Sequence, residues 1–164
     1  SIIHPKTLKP LQNAGIPLFV RPFSAPHEPG TVVTESTVQP EIPAVIVKHN
    51  QVLLSLATKD LSFITEDHLS SIFSIFARLS VKVNVMQISA LSFSAGCDWN
   101  ERIFQKLLSE LGKEFRIRYN TGLELITVRH FQRDLLNHLC EGKTVLLEQF
   151  SRHTAQLVVK EAGQ

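Results

Sequence analysis

The chain has 164 residues, of which 43% are hydrophobic and 20% charged, a composition typical of a globular protein with an apolar core. The formal net charge of +2 is too small for a basic surface that binds nucleic acid, so we expect no nucleic-acid partner. No apolar run reaches about 18 residues, so we expect no membrane partner either. Cys97 and Cys140 have no CxxC spacing, which predicts small buried thiols in a reducing compartment and no disulfide.

The start of the chain has neither the basic segment nor the apolar core of a signal peptide, and it carries no initiator methionine. We therefore expect a piece of a longer cytoplasmic protein. Residues 1–43 are rich in proline. They predict a short helix at 7–14, an extended segment at 16–23, a turn at 26–29 and a linker at 39–43.

The next segment changes from strands to a helix. Residues 44–48 and 52–58 are apolar and predict two short strands separated by a turn at His49-Asn50. Between residues 66 and 79 the apolar side chains recur at spacings of three and four, which is typical of an amphipathic helix. Thr65 or Asp67 is the expected cap of this helix.

Two strands and a second helix follow. Residues 81–91 alternate between apolar and polar, which predicts a strand with one solvated face, and 92–97 is its expected antiparallel partner. Residues 98–111 carry an apolar stripe and predict a helix, capped by Asp98 or Asn100, and 115–119 alternates again. The order strand, helix, strand, strand, helix, strand predicts an α+β, ferredoxin-like βαββαβ unit, an antiparallel sheet with helices on one face.

The same pattern then restarts. Residues 123–128 predict a strand, 134–140 a short helix, and 144–149 and 155–159 two further strands. The sequence ends before a second helix, so we expect the second copy of the unit to be incomplete on its own.

Several segments resemble aspartate kinases when they are read in order. They are HPKTLKP at 4–10, IPLFV at 16–20, PGT at 29–31, NQVLLSL at 50–56, LSSIFSIFARLSVKVNVMQIS at 69–89 and TGLELITV at 121–128. Together they are similar to the C-terminal regulatory region of that family, which carries tandem ACT domains. The resemblance divides the chain into the tail of the catalytic domain and linker (1–43), a strand that joins the second ACT unit (44–50), the first ACT domain (51–120) and a truncated second ACT domain (121–164).

The resemblance implies a regulatory role without catalysis. ATP and magnesium would be cofactors of the catalytic domain, and this part of the chain is expected to hold no cofactor and no catalytic residue. The expected partners are lysine or threonine as a feedback effector, the protein's own catalytic domain, and a second copy in a homodimer. The alternative is a dimerisation scaffold that binds no effector. A fusion of the parent protein to homoserine dehydrogenase stays open.

The resemblance also implies where an effector binds. The expected contacts lie in the turn after the first strand and on the second strand of the first unit: Asp60, Ser62, Phe63, Ile64, Val83, Asn84, Ile88 and Ser89. Asn84 stands where lysine-sensitive relatives have an aspartate, and Asp67-His68 stands where a glycine is usual. Asn84 is therefore read with equal weight as a contact for an amine or as a solvated strand residue.

Seven histidines raise the question of a metal site. None is spaced with another histidine or a cysteine in the way that places two ligands on one face, so the sequence predicts no metal site.

Overall fold

The computed structural model describes residues 18–20, 31–33 and 41–163. The predicted helix at 7–14, the turn at 26–29 and residues 39–40 of the linker lie outside this part of the chain. Within it, β1 (Leu18–Val20) and β2 (Thr31–Val33) form a small antiparallel sheet.

The remaining elements form one six-stranded sheet with three helices, in the part of the chain that is described. In chain order they are β3 (Ala44–Thr58), α1 (Glu66–Arg78), β4 (Val83–Ile88), β5 (Phe93–Asp98), α2 (Glu101–Leu111), β6 (Phe115–Arg129), α3 (Arg133–Leu139), β7 (Lys143–Phe150) and β8 (Thr154–Glu161). The strand order is β4-β5-β3-β6-β8-β7, and every neighbouring pair is antiparallel. The predicted α+β class is confirmed.

Two strands are longer than predicted. β3 and β6 each run for 15 residues, so the expected turn at His49-Asn50 is wrong and the predicted strands at 115–119 and 123–128 are one strand. The chain does not reverse at Asn50, because it stays paired with β6 on both sides of an irregularity between Lys48 and Leu53. Asn50 and Gly122 have positive φ angles of 52° and 67°, a backbone conformation that asparagine and glycine adopt more easily than other residues.

At this irregularity, here called the bend, the residues of β3 that face the helices change from odd to even numbers. Before it, the odd-numbered Val45 and Val47 pack against the cluster that contains α3. After it, the even-numbered Val52 and Leu54 pack against the cluster that contains α1 and α2. The helix-free faces of both halves meet in one core, so the helices lie on the same side of the sheet and the bend must shift the alternation by one residue.

The bend separates two halves of the sheet. The first half comprises residues 51–58 of β3, β4, β5 and residues 115–120 of β6, in the order β6-β3-β5-β4, with α1 and α2 on one face. Its core consists of Val52, Leu54, Leu56, Ile72, Ile75, Phe76, Phe93, Ala95, Cys97, Phe104, Leu107, Leu111 and Phe115.

The second half repeats this order with fewer elements. It comprises residues 44–48 of β3, residues 123–129 of β6, β8 and β7, with α3 on one face. Its core consists of Ile126, Val128, Leu136, Ala155, Leu157 and Val159. Residues 44–48 therefore hold the place that the last strand of the first half holds in its own sheet.

The two halves pack against each other through the faces that carry no helix. This inner core consists of Leu53, Val85, Leu123, Leu125, Leu147 and Val158. Side-chain amides add hydrogen bonds between the outer strands: Gln149 donates to the Met86 carbonyl at 2.8 Å, and Gln87 donates to the Glu148 carbonyl at 3.3 Å. The helices thus lie outside and the sheet is folded upon itself.

The helix ends follow the sequence. Thr65 precedes α1, and its backbone N–H donates to Nδ1 of His68 at 2.9 Å. Asn100 caps α2, because its side-chain oxygen accepts from the Ile103 amide at 3.2 Å. No helix among the described residues is long and apolar enough to cross a membrane.

Gly96 on β5 tests the packing between the halves. A Cβ at this position would lie 2.7 Å from Cγ1 of Val85 and 3.6 Å from Cγ2 of Val158. We expect Gly96→Val to lower the free energy of unfolding by about 1–3 kcal/mol, because overpacking forces neighbouring side chains to shift. Urea denaturation measures this, with Ser109→Ala on the exposed face of α2 as a control that should change it by less than about 0.5 kcal/mol. An unchanged stability in Gly96→Val would contradict the close packing.

Candidate functional site

Four polar side chains meet beside the bend, where β3, β4 and β5 lie next to one another. The Asn84 amide nitrogen donates to Oδ1 of Asp98 at 2.7 Å and to Oε1 of Gln51 at 2.8 Å. The Gln51 amide donates to the same Asp98 oxygen at 2.9 Å. Lys48 Nζ lies 2.9 Å from Oδ1 of Asn84 and 3.4 Å from Oδ1 of Asp98. We call Lys48, Gln51, Asn84 and Asp98 the polar cluster. Within it, Asn84 and Asp98 bind the ammonium group of Lys48.

The polar cluster stabilises a negative charge on Asp98. Partial burial raises the pKa of Asp98, but hydrogen bonds from Gln51 and Asn84 and the nearby Lys48 charge act in the opposite direction and prevail. The pKa of this carboxyl therefore lies below its ordinary value, and Asp98 is ionised at neutral pH. Gln51 is only 2% exposed, so its amide needs these partners.

A cleft of about 280 Å³ opens next to Asp98 at the start of α2. Its lining includes the charged Lys82 and Asp98 together with Trp99, Asn100 and Phe104. The Trp99 and Phe104 rings lie 4.8 Å apart. The volume is near the lower end of the range for sites that bind small molecules.

Neither cysteine is suited to nucleophilic chemistry. Burial raises the pKa of Cys97 to about 12, and the neighbouring Asp98 charge acts in the same direction. Burial also raises the pKa of Cys140. Since the thiolate is the reactive form, both thiols are mostly protonated at neutral pH. Cys97 is buried as expected, whereas Cys140 is only partly buried.

The turn after β3 holds four of the residues that the sequence singled out. Oδ1 of Asp60 accepts from the Ser62 amide at 3.1 Å, and hydrogen bonds from the Ser62 hydroxyl and backbone lower the pKa of Asp60. Phe63 is 69% exposed, and the Ile64 amide donates to the Ala90 carbonyl at 2.8 Å. The last contact attaches the turn to the hairpin between β4 and β5.

The structure brings six of the eight predicted residues together. Ile88 and Ser89 lie at the end of β4, beside the turn that holds Asp60, Ser62, Phe63 and Ile64. Val83 and Asn84 lie at the other end of β4, because Val83 pairs with Cys97 whereas Ile88 pairs with Phe93. Asn84 and Ile88 are four positions apart on the strand, which is about 13 Å at about 3.3 Å per residue.

Exposed apolar side chains surround the first group. We call this surface the apolar end; it consists of Leu61, Phe63, Phe73, Met86, Ile88 and Leu91, each between 38% and 69% exposed. Such a concentration of exposed apolar side chains marks an interaction surface more often than scattered single residues do.

Sequence reasoning missed Lys48, Gln51 and Asp98 as partners of Asn84. One signal was present: Lys48 and Gln51 are polar residues inside an apolar stretch that forms a strand. Asn84 is a half-buried residue of β4, and its amide nitrogen donates to Asp98 and Gln51 while Lys48 donates to its oxygen.

Comparisons with known proteins agree with this architecture. Lysine-sensitive aspartokinase 3 of Escherichia coli K12 is 29% identical over 160 residues, which is 92% of this chain and 35% of the relative. Chloroplastic aspartokinase 1 of Arabidopsis thaliana is 28% identical over 120 residues, which is 69% of this chain and 21% of the relative. The matches fall in the C-terminal part of these proteins.

The homologues of this chain are aspartokinases. The chain spans only about a third or less of the length of these aspartokinases. No protein-family profile matches it.

Solved aspartokinase structures have the same fold. E. coli aspartokinase III in complex with lysine and aspartate superposes with a TM-score of 0.67 at 24% identity, over 96% of this chain and 38% of that one. A candidate C-terminal regulatory domain of aspartate kinase from Porphyromonas gingivalis W83 gives 0.61 at 16% identity, over 73% of this chain and 86% of that one. The fold is therefore that of the ACT-type regulatory domains of aspartokinases.

The polar cluster predicts a pH dependence. Because the pKa of Asp98 is lower in the folded chain than its unfolded value of about 3.9, its contribution to stability is complete above that pH and is lost as pH falls through the folded pKa. We expect Asp98→Asn to lose less stability than the wild type as pH falls from 6 towards 3. Urea midpoints across this range measure the difference, and Glu161→Gln at the exposed end of β8 should follow the wild type. Parallel curves for Asp98→Asn and the wild type would contradict the assignment.

Proposed function

We propose that this chain is the regulatory part of an aspartate kinase and that it binds an end-product amino acid, lysine or threonine, which lowers the activity of the catalytic domain. The observation that carries the proposal is the match of 92% of the chain to a lysine-sensitive aspartokinase. ATP and magnesium act in the catalytic domain under this proposal, and this part of the protein is not itself an enzyme. The first ACT unit is 51–120, and residues 44–50 complete a second unit that continues to 164.

The outer position of β4 supports a homodimer, with the Met86 carbonyl on this strand also accepting from the Gln149 amide of the same chain. β4 is an outer strand of the sheet, and such an edge readily accepts another strand. The apolar end lies beside it, with Met86 40% and Ile88 49% exposed. A second copy that packs there through a two-fold axis would cover the apolar side chains of both chains at once.

The same two-fold arrangement would bring the two groups of predicted effector residues close together, one group from each chain. In an antiparallel pairing of β4 with its copy, centred on Met86, Asn84 comes opposite Ile88 of the partner subunit. The turn that holds Asp60 and Phe63 in one chain then lies near the start of β4 in the other. An effector bound between the copies would contact both groups, although the two groups lie apart within one chain.

Asp60 is the proposed acceptor for the ammonium group of the effector. Its carboxyl is fully exposed, its pKa is lowered chiefly by the Ser62 hydroxyl, and it is therefore charged at neutral pH. Backbone amides at the start of α1 are the proposed donors for the effector carboxylate, because the first amides of a helix have no partner within it.

A dimerisation scaffold without an effector is the second candidate, and one observation favours it. Lys48 Nζ already lies 2.9 Å from Oδ1 of Asn84, where the ammonium group of a lysine effector would otherwise bind. A lysine at this position would have to displace Lys48. Threonine would not, since its side chain carries no charge.

Calorimetry with lysine, threonine and methionine tests effector binding. We expect lysine or threonine to bind and methionine not to bind. Asp60→Asn should weaken binding by about tenfold or more, because a charge-assisted hydrogen bond to the ammonium group is lost. Asp134→Asn, in the second half, is the matched control and should bind as the wild type does. A folded dimer that binds none of the three would leave the scaffold as the function.

The dimer itself is tested by a charge on the edge of β4. We expect Ile88→Glu to convert the dimer to a monomer, because each chain would bury a carboxylate without a partner at the interface. Val145→Glu on β7, the other outer strand, is the matched control, since Val145 is 38% exposed. Sedimentation or light scattering gives the mass. A dimer that survives Ile88→Glu but not Val145→Glu would place the interface on the second half.

A further inference from the structure

Three potential metal ligands meet at one end of the second half of the sheet. They are Glu41, His130 and His153, and their ligand atoms all lie within 4.8 Å of one another. Residues 41, 130 and 153 are far apart in sequence, so the spacing rules that predicted no metal site had no means of connecting them.

The sheet fixes the positions of these three residues. Ala44, Arg129 and Thr154 lie side by side on β3, β6 and β8. Glu41 lies three residues before this row, His130 one residue after it and His153 one residue before it. The backbone amide of His130 also donates to the carbonyl of His153.

His130 is held in an unusual conformation. Its φ angle is 54°, in the left-handed region that most residues avoid. Its Nδ1 atom is buried and lies 2.9 Å from Oε2 of Glu41, yet among the described residues it has no partner with hydrogen-bond geometry. A ring nitrogen that faces a carboxylate without a hydrogen bond is placed as a metal ligand would be.

His153 completes the set from the opposite side. Its Nδ1 lies 4.0 Å from the same Glu41 oxygen, and the two imidazole rings have their centres 5.7 Å apart. Ligand atoms around a tetrahedral zinc ion lie about 3.3 Å apart, given metal–ligand distances of about 2.0–2.1 Å. Small side-chain rotations would bring all three atoms to this separation, since His153 and Glu41 are 56% and 59% exposed.

We propose that Glu41, His130 and His153 bind a divalent metal ion of the zinc class. Two imidazoles and one carboxylate suit zinc, nickel or cobalt better than magnesium or calcium, which prefer oxygen ligands alone. Three protein ligands leave the fourth position to water. The site shares no residue with the polar cluster or the apolar end, and it does not depend on the proposed function.

The consequence of the metal is a fixed entry into β3. Glu41 belongs to the segment that precedes β3, whereas both histidines belong to the second half. A metal ion would bind that segment to the second half with coordinate bonds in place of an exposed ion pair, which contributes little by itself.

Titration of the 164-residue chain with zinc chloride alone tests the site. By calorimetry we expect one ion per chain, and at least tenfold weaker binding in His153→Gln, because even the loss of a group that only supports a ligand weakens metal binding by about 10–100-fold. His138→Gln is the matched control: His138 is 75% exposed, and its nearest carboxylate is Glu141 at 3.6 Å. It should bind zinc as the wild type does. Zinc at 100 times its dissociation constant should raise the Tm of the wild type by about 5–10 °C.

Two further measurements guard against a folding defect. His130→Asn keeps a residue that tolerates the left-handed conformation, and Glu41→Gln changes one exposed atom, so both should fold and both should bind zinc at least about tenfold more weakly. Cobalt should give the strong visible absorption of a tetrahedral site in the wild type and lose it in both variants. Zinc affinities that are equal in wild type, His153→Gln and Glu41→Gln would overturn the proposal. So would the absence of binding to the wild type, which would leave an ion pair alone.

Discussion

The irregular pairing between β3 and β6 is the constraint on which the rest of the structure depends. A regular pair of strands would present the same alternation from end to end, and the helices of one half would then face the inner core of the other. The shift at Asn50 and Gly122 lets apolar residues face outward to helices in both halves and inward to a common core. One pair of strands thereby serves two sheets.

The bend also explains where the polar chemistry lies. Regular pairing is interrupted between Lys48 and Leu53, and the polar side chains of Lys48 and Gln51 gather there with Asn84 and Asp98. A buried amide such as Gln51 is costly unless its hydrogen bonds are made, so each member of the polar cluster depends on the others. The cluster is therefore best understood as the polar support of the bend, and the apolar end as the surface that remains for a partner.

Much of the fold could be predicted from the sequence because it follows from local patterns. The apolar spacing between residues 66 and 79 and the alternation after residue 81 correspond to α1 and β4, and Asn100 caps α2 as its residue type suggests. What failed was the reading of His49-Asn50 as a reversal. An asparagine with positive φ serves equally well in a turn and in an irregular strand, and only the pairing with β6 distinguishes them. The proximity of Glu41, His130 and His153 was equally invisible, since it arises from the order of the strands.

Because β3 and β6 each take part in both halves of the sheet, the order in which the chain is synthesised matters for its folding. Ala44–Thr58 emerges from the ribosome before Phe115–Arg129, with whose last residues its first residues pair. Until then residues 44–48 are an apolar segment without a neighbour, and contacts so distant in sequence form slowly. While translation continues, this unpaired segment exposes the nascent chain to aggregation with other chains.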